Sequence, residues 1–573
     1  MISPNKIRGK VAKQHRNPNG VELYAAKSIV RNVYLVVLKA INHQQSSIIH
    51  QQLTINMRFS APILSLFILI LLFANCKKDQ ITTDPNDKIA FATDTLSFDT
   101  IFTTIGSATK SFTIYNPNDQ PINISRIYAE GDTRRLFRFN ANGIAFNGTD
   151  GAAENIEVWA HDSIHVFVDV TIDPRDENTP FIIQDTVVVE TNGNRQTLIL
   201  LAWGQDAHFF GRNMPQGQVV AATQDTTWTN DKPYVIFNGI IVDSLHTLTI
   251  DPGVRVHIYN YGSIIVKGKL VVNGGSWNDT TQIVKFSGVR TENGQPQYLG
   301  NDYTGGLLPS WQQESDYSDI PGQWNGFIFY PNSEGTFKGA ELRNGITAIL
   351  ATKYLVQDNT IVIYQTPPKL TIENTVIRDM VGYGIQNWGG DLNISNTSVF
   401  DCGVNNLRVE VSGQCNFVNN TFYNTGSQHI NHRDPIVVVN NFIPISQTQQ
   451  LVEDVPLNAN FYNCLIMGDR SREEVVSSKS GLPTGAFNLH FYNTLFRTKE
   501  IAITADQLTD CYFNPAVSDT TYFKDVSLRD FRLHNGSFCI DKGTQNTPFS
   551  VSTDQLGSTR DALPDLGAFE YMP

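Results

Sequence analysis

Asp379 and Asp401 have the spacing that comes nearest to chemistry. Each lies five residues after an Asn in a recurring phrase, ENTVIRD and then SNTSVFD. If those phrases are successive coils of one repeat, the two carboxylates stack about 5 Å apart. Two like charges that close either share a cation, for which calcium is the candidate, or raise one another's pKa. Arg378, next to Asp379, and Arg408, on the following strand, could supply a base or a simple ion pair. A lyase would need such an acidic cluster with a base beside it. The plainer reading is a pair of exposed turn carboxylates neutralised by Arg378.

Two other groups carry chemical side chains. SQHINHRDP holds His429, His432, Arg433 and Asp434. An i, i+3 histidine pair can ligate a metal, but before Pro435 it has no fixed geometry, so a solvated loop is expected. Residues 291–322 place Tyr298, Tyr303, Trp311 and Tyr317 among amides and acids, and Trp388 stands in an NWGG turn. Tyr303, Trp311, Tyr317 and Trp388 are the candidates for a sugar-binding platform. The alternative is aromatic rings folded down over the flank of the repeat.

The repeat must position all of these. ENTVIRD, SNTSVFD, NNTFYNT, NNFIPI, YNCLIMG and YNTLFRT align on Asn374, Asn396, Asn420, Asn441, Asn463 and Asn493, with a weaker TDCYFNP at Asp510. The first four steps are 22, 24, 21 and 22 residues, about one coil of a three-sided parallel β-solenoid. Later steps of 30 and 17 imply an insertion holding GDRSREEVVSSKSGLPTG and a shortened last coil. Identical amides in such a stack hydrogen-bond from coil to coil, and Asn tolerates the left-handed backbone of a tight corner. Cys464 and Cys511 share the register of Thr375, Thr397, Thr421 and Thr494, as small inward members of a stack.

The fold class expected is all-β: an Ig-like sandwich over 89–207, then a right-handed parallel β-helix over 219–573. Over 89–205, SFTIYN, DSIHVFVDVTIDP, DTVVVETN and QTLILLAWG alternate apolar and polar residues between Asn, Asp, Gly and Pro, as antiparallel sandwich strands do. In its order of phrases this stretch resembles the ASH/HYDIN class of immunoglobulin-like modules, which implies a spacer or adhesive unit. LTIDPGVRVHIYNYGSIIVKGKLVVNGG resembles the opening coil of pectin-lyase-like, right-handed parallel β-helices. GSTRDALPDLGAFEY resembles their closing D-x-G-A-x-E segment through Asp565, Gly567, Ala568 and Glu570. That resemblance implies a C-terminal cap over the last coil.

The N-terminus says where the chain works. The apolar run Phe59–Phe73 spans about 22 Å, too short for a bilayer core of about 30 Å but suited to a secretory signal. Met57 and Arg58 precede it, so residues 1–56, with eight Lys/Arg against Glu22 alone, are expected to be an upstream extension. A basic N-terminal arm is the alternative. Phe73-Ala74-Asn75-Cys76 resembles a bacterial lipobox, although Asn75 departs from the usual small residue. It implies a signal peptide over 57–75, acylation of Cys76, a tether over 76–88 and membrane attachment by two or three acyl chains. An ordinary cleaved signal with an incidental Cys is the other reading. Lys77-Lys78-Asp79-Gln80 resembles Bacteroidetes export signals, implying the exterior of the outer membrane; its periplasmic face is the alternative. Losing nine of 43 Lys/Arg and one of 55 Asp/Glu leaves 34 against 54, a charge near −20 that disfavours nucleic acid. With Cys76 acylated, five cysteines remain with no CxxC, so neither a zinc site nor a full disulfide framework is indicated.

Function is expected to be noncatalytic binding of a polysaccharide or surface protein, with no cofactor beyond the calcium weighed above. The competing class is a polysaccharide lyase or glycoside hydrolase. The polygalacturonase-like form of that class is disfavoured, because the chain lacks Asp-Asp, His-Gly and Arg-Ile-Lys.

Overall fold

The computed structural model describes residues 80–573. Within that range it leaves out 150, 216, 290, 293–294, 297–319, 358–359, 445–449, 454, 480–484, 498–502 and 514–520. Residues 1–56, the expected signal over 57–75 and Cys76 lie outside the described residues, as do Tyr298, Tyr303, Trp311 and Tyr317. Among the described residues there is no α-helix; strands and a few short 3₁₀ turns make up the regular structure.

Strict alternation builds the first part. In Ser163–Val170 every second residue, Ile164, Val166, Val168 and Val170, is buried while His165 and Phe167 face out. Two five-stranded sheets assemble from such strands, and their inner faces share one apolar core that includes Phe98, Phe112, Ile127, Phe137 and Val189. Strand pairing within the two sheets is antiparallel except where Thr95–Phe102 runs parallel to Asn194–Gln205. Residues 80–88, expected as part of a tether, are tied to this unit. Thr82 bridges to Ile122, and the side chains of Asn192 and Asn194 donate to the carbonyls of Asp84 and Pro85.

The second part begins earlier than Val219. His208–Phe210 already pairs in parallel with Tyr234–Val242, and Phe209 joins Phe102, Ile105, Val235 and Tyr259 in an apolar cluster linking the two parts. From there successive strands add in parallel around three ladders, a β-helix-like stack. One turn reads Lys369–Glu373, Val376–Met380, Tyr383–Trp388, and the next starts at Asp391–Ser395. Inward columns are apolar and in register. Ile372, Ile394, Phe417, Phe461 and Phe491 form one, with Phe417, Phe461 and Phe491 stacked at 4.4 and 4.6 Å between ring centroids.

The corner amides follow this register and correct the expected one. Asn374, Asn396, Asn419, Asn463, Asn493 and Asp510 all have φ between 45° and 55°, the left-handed corner that Asn tolerates. Asn396 Nδ2 donates to Asn374 Oδ1 at 3.1 Å and Asn463 Nδ2 to Asn419 Oδ1 at 3.3 Å. Asn420 is therefore one residue out of register. It points inward, accepting from Thr397 N and donating to Ile394 O, and it takes the column place expected for Thr421. Asn441 belongs to no corner of this column. The turn between Asn419 and Asn463 is one long coil, and Asn441 ends the different ladder of Val437–Asn440, where it accepts from Lys479 N. The motif repeated because Asn is favoured wherever a strand ends in a tight bend.

The closing segment is not an end cap. It runs lengthwise over the amide corners. Asn493 Nδ2 donates to Lys542 O, Asn463 Nδ2 to Thr544 O, Asn419 Nδ2 to Asp565 O and Asn396 Nδ2 to Thr553 O. Gly567, at φ 90°, passes so close that a Cβ would stand 2.6 Å from Leu465 Cδ1. The buried Arg560 donates to Glu570, to Asn396 Oδ1 and to Gly567 O, which ties Glu570 of the motif to the corner column.

Candidate functional site: a cleft between coils and the C-terminal strap

The outer face of one ladder changes character along the solenoid. In register it reads Arg343, Arg378, Phe400, Tyr423, Met467. Its apolar stretch would be costly in water at about 25 cal/mol per Å². Residues 522–533, with Leu566 and Cys539 from the strap, cover it: Phe531 stands 5.0 Å from Phe400 and 4.9 Å from Tyr423 between ring centroids. Where the face turns from charged to apolar, the cover leaves a cleft of ≈ 510 Å³. Its walls include Trp277, Phe400, Phe531 and Phe569 as rings and Arg378, Arg529 and Arg532 as cations.

Asp379 and Asp401 lie opposite one another on adjacent coils at left-handed corners (φ 55° and 50°), and both are buried, not exposed. Arg529 stands between them, with Nη2 3.0 Å from Asp379 Oδ1 and Nε 2.9 Å from Asp401 Oδ2. Arg378 pairs with Asp379 and, at 2.9 Å, with Glu341. Burial alone would raise the Glu341 pKa, but the charges of Arg378, Arg343 and Lys285 outweigh it and hold the group below the usual carboxylate range. The guanidinium of Arg529 occupies the place a shared calcium would need. What the arrangement offers chemically is a fixed set of donors beside aromatic faces, with its acids engaged in ion pairs.

Arg408 is elsewhere. It donates to Glu410 at 2.7 Å, and Trp388 Nε1 donates to the other oxygen of Glu410 at 2.9 Å. Trp388 is thus pinned by its edge on a different ladder from the cleft. The buried thiols Cys415, Cys464 and Cys539 are pushed up to about 12 by burial, so they are inert.

His432 is not in a solvated loop: its side chain is 2% exposed. Nδ1 lies 2.6 Å from Asp469 Oδ1, and Nε2 3.2 Å from Glu473 Oε2. Burial would lower its pKa, but Glu473 and Asp469 outweigh that and raise it. Arg529, Asp469 and Glu473 were missed because only packing brings them in; 150 residues separate Arg529 from Asp379.

No family model and no curated protein matches this chain. Among solved structures, a family 28 exopolygalacturonase from Yersinia enterocolitica is similar over 75% of this chain and 89% of its own, at 11% identity and TM-score 0.16. The ASH/PapD-like domain of human CEP192 is similar over 23% of this chain and 91% of its own, at 13% identity and TM-score 0.15. A family 123 glycoside hydrolase from Clostridium perfringens aligns over 20% of this chain, at 8% identity and TM-score 0.14; the chain covers 25% of that enzyme. At these scores the likenesses assign no chemistry, which has to come from the side chains.

Proposed function

We propose that this chain is a cell-surface lipoprotein that binds a glycan without turning it over, with the ligand held in the cleft beside Trp277. In this reading acylated Cys76 anchors the chain to the outer membrane, the two-sheet unit is an Ig-like spacer, and the coils form a right-handed, pectin-lyase-like helix. One observation carries it. The cleft combines rings with guanidinium groups, while its own carboxylates, Glu341 and Asp530, pair with Arg378 and Arg532, and those behind it, Asp379 and Asp401, with Arg529. Rings suit the flat faces of sugars, and guanidinium groups take hydroxyls or a uronate carboxylate. A glycosidase instead needs one carboxyl able to hold a proton and a second facing the bond. The cleft volume lies in the range of pockets that enclose small molecules.

A glycan array probed with the purified chain tests this. Retention without turnover is expected, with affinity falling about tenfold or more, that is by about 1.4 kcal/mol, in Trp277→Ala and in Arg532→Ala. New unsaturated or reducing ends would favour a lyase or glycosidase. Retention unaffected by either substitution would move the ligand away from the cleft. Appearance of the chain in the membrane fraction, lost in Cys76→Ser, checks the anchor.

A further inference from the structure

The second cluster has the geometry of a metal site. The bend after Leu465–Gly468 carries Asp469 and Glu473 to the loop that carries His432. Glu473 is fully buried, and its Oε1 accepts from Arg470 N at 2.7 Å, which fixes the carboxylate. Gly468 makes room for it: a Cβ there would sit 2.2 Å from Glu473 Oε1. Asp469 takes the hydrogen of His432 Nδ1. The ring therefore turns Nε2 towards Glu473 Oε2 at 3.2 Å, and neither of these buried atoms makes a hydrogen bond of normal geometry. Two acceptors facing each other inside a protein repel unless something positive lies between them.

We propose that His432 Nε2 and Glu473 Oε2 ligate one divalent transition-metal ion, with Asp469 as the residue that orients the imidazole. Two donors each about 2.0–2.2 Å from a common ion stand roughly 2.9–3.5 Å apart at tetrahedral or octahedral angles. The observed separation is 3.2 Å. A metal-bound imidazole usually gives its other N–H to a carboxylate, which is the place of Asp469 here. One imidazole and one carboxylate suit zinc. The Asp469 side chain, on the Nδ1 edge of the ring, is 55% exposed.

Calorimetric titration of the full chain with zinc chloride decides it. One site per chain is expected, lost in His432→Gln and in Glu473→Gln and weakened 10–100-fold in the half-exposed Asp469→Asn. Cobalt substitution gives an independent readout, since the visible d–d bands of a nitrogen-ligated ion should vanish in His432→Gln. Failure of the parent chain to bind, or binding and bands unchanged in all three variants, would overturn the site and leave a proton on Nε2 as the charge between the two atoms. The Asp469→Asn result stands even if a buried substitution impairs folding, because that side chain lies at the surface.

Discussion

At the scale of single residues, the charges behind the cleft behave as one unit. Arg529 has a left-handed backbone (φ 57°), which a long side chain adopts at a cost, and its two ion pairs over-determine that conformation. Replacing it by Met would remove an ion-pair partner from two buried carboxylates, of which Asp379 keeps Arg378, and a loss of about 3–5 kcal/mol in urea unfolding is expected. Adding Asp379→Asn and Asp401→Asn should restore most of it. In a calcium titration the same Asn pair should leave the heat unchanged from the parent. Asp565 behaves oppositely to most carboxylates, because burial raises its pKa from 3.8 to about 6 despite hydrogen bonds from Tyr571 N and Asp541 N. Between those values the folded chain holds a proton that the unfolded chain has lost. Its contribution to stability therefore rises as pH falls from about 6 to about 4 and is absent above that. The urea midpoint of the parent minus that of Asp565→Asn, followed across this window, should show the rise.

At the scale of elements, each corner needs two things from one residue: a positive φ and an amide that reaches the next coil or the strap. Asn supplies both, and Gly only the first. Asn419→Gly should therefore lose its hydrogen bonds, about 1 kcal/mol, and Asn419→Ala a further 1–2 kcal/mol or so for the left-handed backbone, both read from urea midpoints. Equal losses in the two variants would mean that backbone conformation does not matter there. The corners also show how far a repeat can be read. Phrases such as ENTVIRD and SNTSVFD mark true successive corners, 22 residues apart, whereas NNFIPI carries the same letters on another ladder. Local composition reports a tight bend, but which ladder the bend belongs to depends on the coil length before it.

At the scale of the whole molecule, the last forty or so residues act as a lengthwise strap that adds Cys539 and Leu566 to the cover that residues 522–533 lay over Phe400, Tyr423 and Met467, and that lines the cleft with Gln555, Leu556 and Phe569. A chain ending at Leu533 should expose part of that face, bind a hydrophobic dye such as ANS and self-associate in size-exclusion chromatography. A monomeric, dye-silent product would show that the strap is dispensable. The two-sheet unit is likewise docked on the first coils through Phe102, Ile105, Phe209, Val235 and Tyr259, so the two parts should unfold together in calorimetry.

The amino-acid order alone shows that the chain is all-β, that two-sheet strands precede stacked parallel coils, and that Asn marks the corners. These follow from side-chain period and backbone preference, which are local. It also placed Asp379 and Asp401 together, because equal spacing in a stack is equal position in space. Packing alone sets Arg529 between them, lays the D-x-G-A-x-E segment along the coils and not across their end, and buries the His432 side chain between Asp469 and Glu473. Each of those contacts joins residues tens to more than a hundred positions apart with no fixed period between them. Burial, which assigns a charge its partner, is a property of the packed coils and of no segment alone.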